Sequence, residues 1–163
     1  MANLSKWIER AQNLVNYHEE AKGFLERAGT HFPVVPQDAE AVCLLWVESD
    51  LLDEKIYSSL EEINKILLSG VGEVDLTRGA DFVIGGANEA ILVYQCTWSL
   101  EWQPQKRISV VLSIDRNSMD ILGMVQSSGG DPISIGFPIA IDTVTRGLSL
   151  AYYRAMTNPS VPS

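Results

Sequence analysis

The sequence predicts an α+β domain: a strongly curved antiparallel β-meander of four or five strands packed on a long N-terminal helix, with further helices before the sheet and at the C-terminus. Three observations predict it. Between Ile91 and Trp102, the residues Leu92, Tyr94, Cys96, Trp98, Leu100 and Trp102 alternate with Gln95, Thr97, Ser99 and Glu101, the two-residue period of a strand buried on one face. The same period returns in Ile108, Val110, Leu112 and Ile114, set against Arg107, Ser109, Ser113 and Asp115, so an antiparallel pair turns one shared face to a core and the other to water. Ahead of Gly72 the apolar spacing is helical instead.

The first element in chain order is a helix over 4–28, with Asn3 as N-cap, Leu4, Ile8, Ala11, Leu14, Val15, Ala21 and Leu25 as its apolar stripe, and Gly29 as terminator. The connector Pro33-Val34-Val35-Pro36 blocks its continuation, because proline offers no amide hydrogen to the helical ladder. Residues 38–47 carry two signals, an acidic helix start after Pro36 and the continuous apolar run Ala41 to Val47 of a buried strand; the helix is preferred. Leu52, Ile56, Leu60, Ile63 and Leu67 then keep helical spacing as far as Gly70. That helix starts at Asp50 or at Ser58, since Ser58-x-x-Glu61 and Ser59-x-x-Glu62 resemble capping boxes.

After Gly72 the period changes to two, giving strands over 73–84, 90–102, 107–116 and 119–126. Gly85-Gly86-Ala87-Asn88, Gln103-Pro104-Gln105-Lys106 and Asn117-Ser118 supply turn residues between them, and Gly79 reads as a bulge. Beyond a loop from Ser128 to Pro132, the residues Ile133, Ile135, Phe137, Ile139 and Ile141 alternate with small residues, as a short edge strand or an extended segment with Pro138 at its end. A last helix over 142–156 buries Val144, Leu148, Ala151, Tyr152 and Ala155, with Gly147 as a weak point, and Thr157 to Ser163 forms a frayed tail. A strand over 90–102 extends about 40 Å at ~3.3 Å per residue, which predicts strong coiling, and the equally long first helix is the element expected inside the curve.

The 163 residues read as one domain, helical over 1–70, sheet over 73–127 and helical again near the C-terminus, long enough to bury about 70% of the surface of the unfolded chain. The start, Met-Ala-Asn-Leu-Ser-Lys-Trp, lacks the layout of a secretory signal, and the longest uncharged apolar run falls far short of the roughly 20 residues that cross a bilayer, so the cytoplasm is the expected location. Cys43 and Cys96 each lie in an apolar run and are expected as buried reduced thiols rather than a disulfide.

Net charge is −9, and residues 1–75 hold 14 acidic and 6 basic groups. Asp38 to Glu62 alone carries Asp38, Glu40, Glu48, Asp50, Asp53, Glu54, Glu61 and Glu62 against the single cation Lys55. Such a field repels nucleic acid and anionic membranes and draws basic partners.

No catalytic signature appears: the chain has no CxxC, HExxH, phosphate loop, GxSxG or dinucleotide fingerprint. His18 is expected as a hydrogen-bonded histidine at the core edge and His31 as a connector residue. No metal or cofactor is expected, since the spacing of Glu48, Asp50, Asp53 and Glu54 does not match a calcium loop. Arg78 and Asp81 are read as a local ion pair or as the lining of a pocket at the sheet end. Trp46, Trp98 and Trp102 are read first as core, with Trp102 the most exposed of the three.

Three functions follow as expectations. The first is a non-catalytic protein-interaction module, inhibitor-like or chaperone-like, that binds a basic protein partner through Glu48, Asp50, Asp53, Glu54, Glu61 and Glu62. The second is a small-molecule-binding domain or small enzyme, with a pocket at the open end of the curved sheet lined by Tyr94, Trp98, Trp102 and Arg78. The third is a homodimer or larger homo-oligomer associating through the small, hydroxyl-rich sheet face of Gln95, Thr97, Ser99, Glu101, Ser109 and Ser113.

Overall fold

The computed structural model describes residues 2–28, 35–84, 90–103, 105–128, 130–136 and 139–157, with side chains described from residue 8 and not at 82–84, 90 and 91. His31, Pro33, the Gly85 to Asn88 turn, Pro104, Gly129, Phe137, Pro138 and the tail beyond Thr157 lie outside the described residues. The element order is α1 (Ala2–Ala28), α2 (Gln37–Leu67), β1 (Glu73–Ile84), β2 (Ala90–Trp102), β3 (Lys106–Asp115), β4 (Ile121–Ser127), β5 (Ile133–Ser134) and α3 (Ile141–Thr157). The five strands form one antiparallel sheet in simple sequential order, so the architecture is α+β.

The two expected segments over 38–67 are one helix of 31 residues, about 46 Å long. Ser58 and Ser59, which resembled caps, sit inside it, and Ser59 Oγ donates back to the Lys55 carbonyl at 2.8 Å, which satisfies that hydroxyl without ending the helix; Ser49 Oγ likewise donates to the Trp46 carbonyl at 2.8 Å. The apolar run Ala41 to Val47 is buried, Leu44 only in part, because α2 lies between α1 and the sheet. At its C-terminus Asn64 closes the chain into β1, donating to the Gly72 carbonyl at 3.0 Å and accepting from the Gly72 amide at 2.8 Å.

The sheet is not strongly curled, contrary to expectation. Curvature needs bulges or kinks, and every ladder runs without a break; Glu73 pairs Glu101 and Ile84 pairs Ala90 with all residues between in register, Gly79 opposite Gln95 included. Gly79 is therefore no bulge. The helix lying along the sheet is α2, against β2 and β3, while α1 packs chiefly on α2. α1 reaches the sheet through contacts such as Phe24 edge-on to Tyr94, with ring centroids 6.2 Å apart.

Register places Leu76, Trp98, Val110 and Val125 on one face, and there Trp98, Leu100, Ile108, Ile114 and Val125 are fully buried. α3 covers the β3 and β4 part of this face with Val144, Leu148, Ala151 and Ala155. Gly147 makes that approach close, since a Cβ there would lie 2.9 Å from Val125 Cγ2. What reads as a weak point in the helix is the contact that seats it. Trp102 is buried rather than exposed, stacked on Tyr152 with centroids 5.8 Å apart. α2 and α3 thus lie on one side, and among the described residues the opposite face, with Thr97, Ser99, Ser109, Val111 and Ser113, carries no helix. Among these residues no helix is long and apolar enough to cross a membrane.

Candidate functional site

The structure sorts the carboxylates of the second quarter into those that hold the fold together and those that face outward. Asp38, in the first turn of α2, is fully buried and chelated by Arg116 at the β3–β4 turn, with Nε donating to Oδ1 at 2.8 Å and Nη2 to Oδ2 at 2.7 Å. It also accepts the Val35 amide at 2.9 Å, while its own amide donates to the Val35 carbonyl at 3.0 Å, which ties the residue ahead of Pro36 to the first turn of α2. The bonded carboxylate holds the Arg116 guanidinium above its ordinary pKa, and burial with Asp38 nearby pushes the Tyr94 hydroxyl up as well.

A second cluster joins α1, α2 and β1. Arg78 projects from the core face of the edge strand, opposite Cys96, and its guanidinium lies 4.5 Å from the Trp46 ring centroid and 5.6 Å from that of Tyr17. It faces Glu20 at 3.7 Å and Asp50 at 3.8 Å, while the Tyr17 hydroxyl donates to Asp50 Oδ2. Burial and the Asp50 carboxylate raise the Tyr17 pKa to about 12. Glu48 meets Arg10 of α1 at 3.6 Å, and Asp53 accepts the Trp98 indole hydrogen at 2.8 Å.

Of the six expected partner-binding carboxylates, Glu48, Asp50 and Asp53 therefore serve internal contacts, whereas Glu54, Glu61 and Glu62 are exposed and make no ion pair among the described residues. Tyr94 and Trp98 are buried in the core with Trp102, and Arg78 belongs to the α1–α2–β1 cluster.

Sequence reasoning missed a second acidic group. Glu73 stands directly opposite Glu101 in the β1–β2 ladder, with Asp75 two residues along, around an open polar recess of about 460 Å³ that also touches Arg107. Like charges in register destabilise a sheet by about 0.2–1 kcal/mol, and Arg107, directly opposite Glu101 in the β2–β3 ladder, offsets part of that repulsion and leaves Glu73 and Asp75 as the excess negative charge. The signal was present in the strand boundaries: a hairpin with Ile84 opposite Ala90 places Glu73 opposite Glu101 by counting. Since Asn64 binds Gly72, the exposed Glu61 and Glu62 of the last α2 turns lie at the same end of the molecule, on the helix side of the sheet, whereas Glu73, Asp75 and Glu101 project from its other face.

His18 is exposed on α1, not bonded at the core edge, and with Leu14 and Val15 it borders an open furrow between α1 and α2. Cys43 and Cys96 are free thiols whose pKa burial pushes up, the reverse of an activated nucleophile. No three His, Cys, Asp or Glu side chains converge on a metal-sized site among the described residues. Compared with protein-family models, curated proteins and solved structures, the chain matches none.

Proposed function

We propose that the protein is a non-catalytic protein-binding module whose acidic end, formed by Glu61, Glu62, Glu73, Asp75 and Glu101, receives a basic segment of a partner protein. The observation that carries this reading is the open recess in which three carboxylates, Glu73, Asp75 and Glu101, with Glu73 and Glu101 in register, meet among the described residues the single cation Arg107 opposite Glu101. A cationic partner relieves that repulsion. The net charge of −9 adds long-range attraction, which speeds encounter and weakens as salt rises.

The test is titration of a labelled lysine–serine repeat peptide, which has no helical tendency, into wild type and Glu73→Gln. Binding that weakens about tenfold from low to physiological salt, and again in Glu73→Gln, is the expected result. Glu73→Gln should meanwhile stabilise the fold by a few tenths of a kcal/mol, about the cost of the like-charge contact it removes. Binding indifferent to both salt and Glu73→Gln removes the acidic end from the reading. A second reading, self-association through the sheet face that carries no helix among the described residues, is favoured by exposed Leu122 and Thr77 at the sides of that face, while Ser99, Ser109 and Ser113 at its centre are short and already sheltered by their neighbours. Light scattering on a sized column separates the two by mass.

A further inference from the structure

α1 carries two apolar faces, and the fold uses one. Tyr17, Ala21, Phe24 and Leu25 pack into the core, whereas Ile8 is 50% exposed and Val15 68% exposed. Seven residues apart on a helix, Ile8 and Val15 stand on the same side, with exposed Ala11 between them. That side borders an open furrow of about 720 Å³ between α1 and the start of α2, floored by Leu14, Val15, Ala39, Cys43 and Leu44. Its polar lining includes the carboxylates Glu19 and Glu40, and among the described residues no lysine or arginine lines it.

Shape and charge select the occupant. The lining recurs at three- and four-residue spacing on both helices, 14, 15, 18 and 19 on one and 36, 39, 40, 43 and 44 on the other, which is the ridge pattern that takes a third helix. An extended strand would find only side chains there and leave its backbone groups unpaired. The two carboxylates complement cations, and a second copy of this chain brings a charge of −9 against another −9.

We propose that this furrow docks an amphipathic helix of a partner protein, with its apolar stripe seated between α1 and α2 and its flanking lysines or arginines reaching Glu19 and Glu40. The furrow is separate from the acidic end, since Glu62 lies about 33 Å further along α2 than Glu40 at ~1.5 Å per residue. A partner helix of three to four turns spans the stripe from Ile8 to Val15 and the furrow beyond it.

Fluorescence anisotropy with three labelled peptides of equal length tests this: a leucine-striped helix with lysine flanks, the same stripe with glutamate flanks, and the lysine peptide broken by prolines. The proteins are wild type, Val15→Asp, Ile8→Asp, Glu40→Lys and, at the other end, Glu62→Lys, each confirmed folded by its circular dichroism and urea midpoint. The lysine-flanked helix should bind at least about tenfold more tightly than either other peptide, and Val15→Asp or Ile8→Asp should weaken it about tenfold. Glu40→Lys should weaken it most at low salt, and Glu62→Lys should leave it unchanged. Equal binding by the proline-broken peptide, lost in Glu62→Lys, overturns the furrow and leaves the acidic-end reading standing. Failure of the lysine-flanked helix to bind, or binding indifferent to both aspartate substitutions, overturns it as well. So does a wild-type dimer that Val15→Asp converts to monomer, because a second copy then fills the furrow.

Discussion

Replacing Arg116 with methionine keeps the stem and removes the charge that Asp38 was buried to meet. Asp38 has no exposure to water, and that guanidinium donates two hydrogen bonds to it, at 2.8 and 2.7 Å. Removing one partner of a buried pair costs about 3–5 kcal/mol, since the remaining charge stays desolvated. Against a total stability of about 5–15 kcal/mol this is a large fraction, and for a chain of this size it lowers the melting temperature by on the order of 10 °C. The assay is urea unfolding of wild type, Arg116→Met, Asp38→Asn and the double variant. The double variant should be more stable than Arg116→Met, with a coupling of about 2 kcal/mol or more. An Arg116→Met protein within about 1 kcal/mol of wild type would refute the argument that this pair fixes the start of α2 to the β3–β4 turn.

Gly147→Val drives a side chain against Val125 Cγ2, 2.9 Å from the position of the new Cβ, and should cost about 1–3 kcal/mol in urea unfolding. An unchanged midpoint would mean that α3 does not close on β4. Trp98→Asp places a charge in the fully buried centre of β2 and should leave no cooperatively melting species by circular dichroism, whereas Trp98→Phe keeps the fold and loses about 1–3 kcal/mol with the bond to Asp53. Ultraviolet titration of tyrosinate should show one step near pH 12 that Tyr17→Phe removes. Because the folded pKa of Tyr17 lies above its ordinary value near 10, its contribution to stability is complete below pH 10 and is lost as pH rises towards 12, so Tyr17→Phe should flatten the wild-type loss in that window.

The strands were legible almost to the residue, because a buried face beside a wet one writes a period of two directly into the sequence: 73–84 and 90–102 match β1 and β2. α2 was not, because a helix enclosed by α1 and the sheet is apolar all round over Ala41 to Val47 and loses its period there. Ser58 and Ser59 then offered a helix start that back-bonding to the preceding turn makes unnecessary. Curvature was inferred from strand length alone, and strand length does not bend a sheet whose ladders carry no bulge. The candidate site divided in the same way. Charge density along the chain pointed to residues 38–62, but whether a carboxylate meets solvent depends on what stands across from it: Arg116 is 78 positions from Asp38, and Trp98 is 45 from Asp53. Such distances carry no local signature.

Because each strand pairs with the next one in the chain, every sheet contact closes a short loop, and the entropy lost in zipping the meander grows only slowly from hairpin to hairpin. The far-reaching closures are left to the helices at the two chain ends. Residues 73–134 can therefore assemble first as a ribbon with one greasy side, onto which the flanking helices settle, and amide exchange should be slowest along β2 and β3, at its middle.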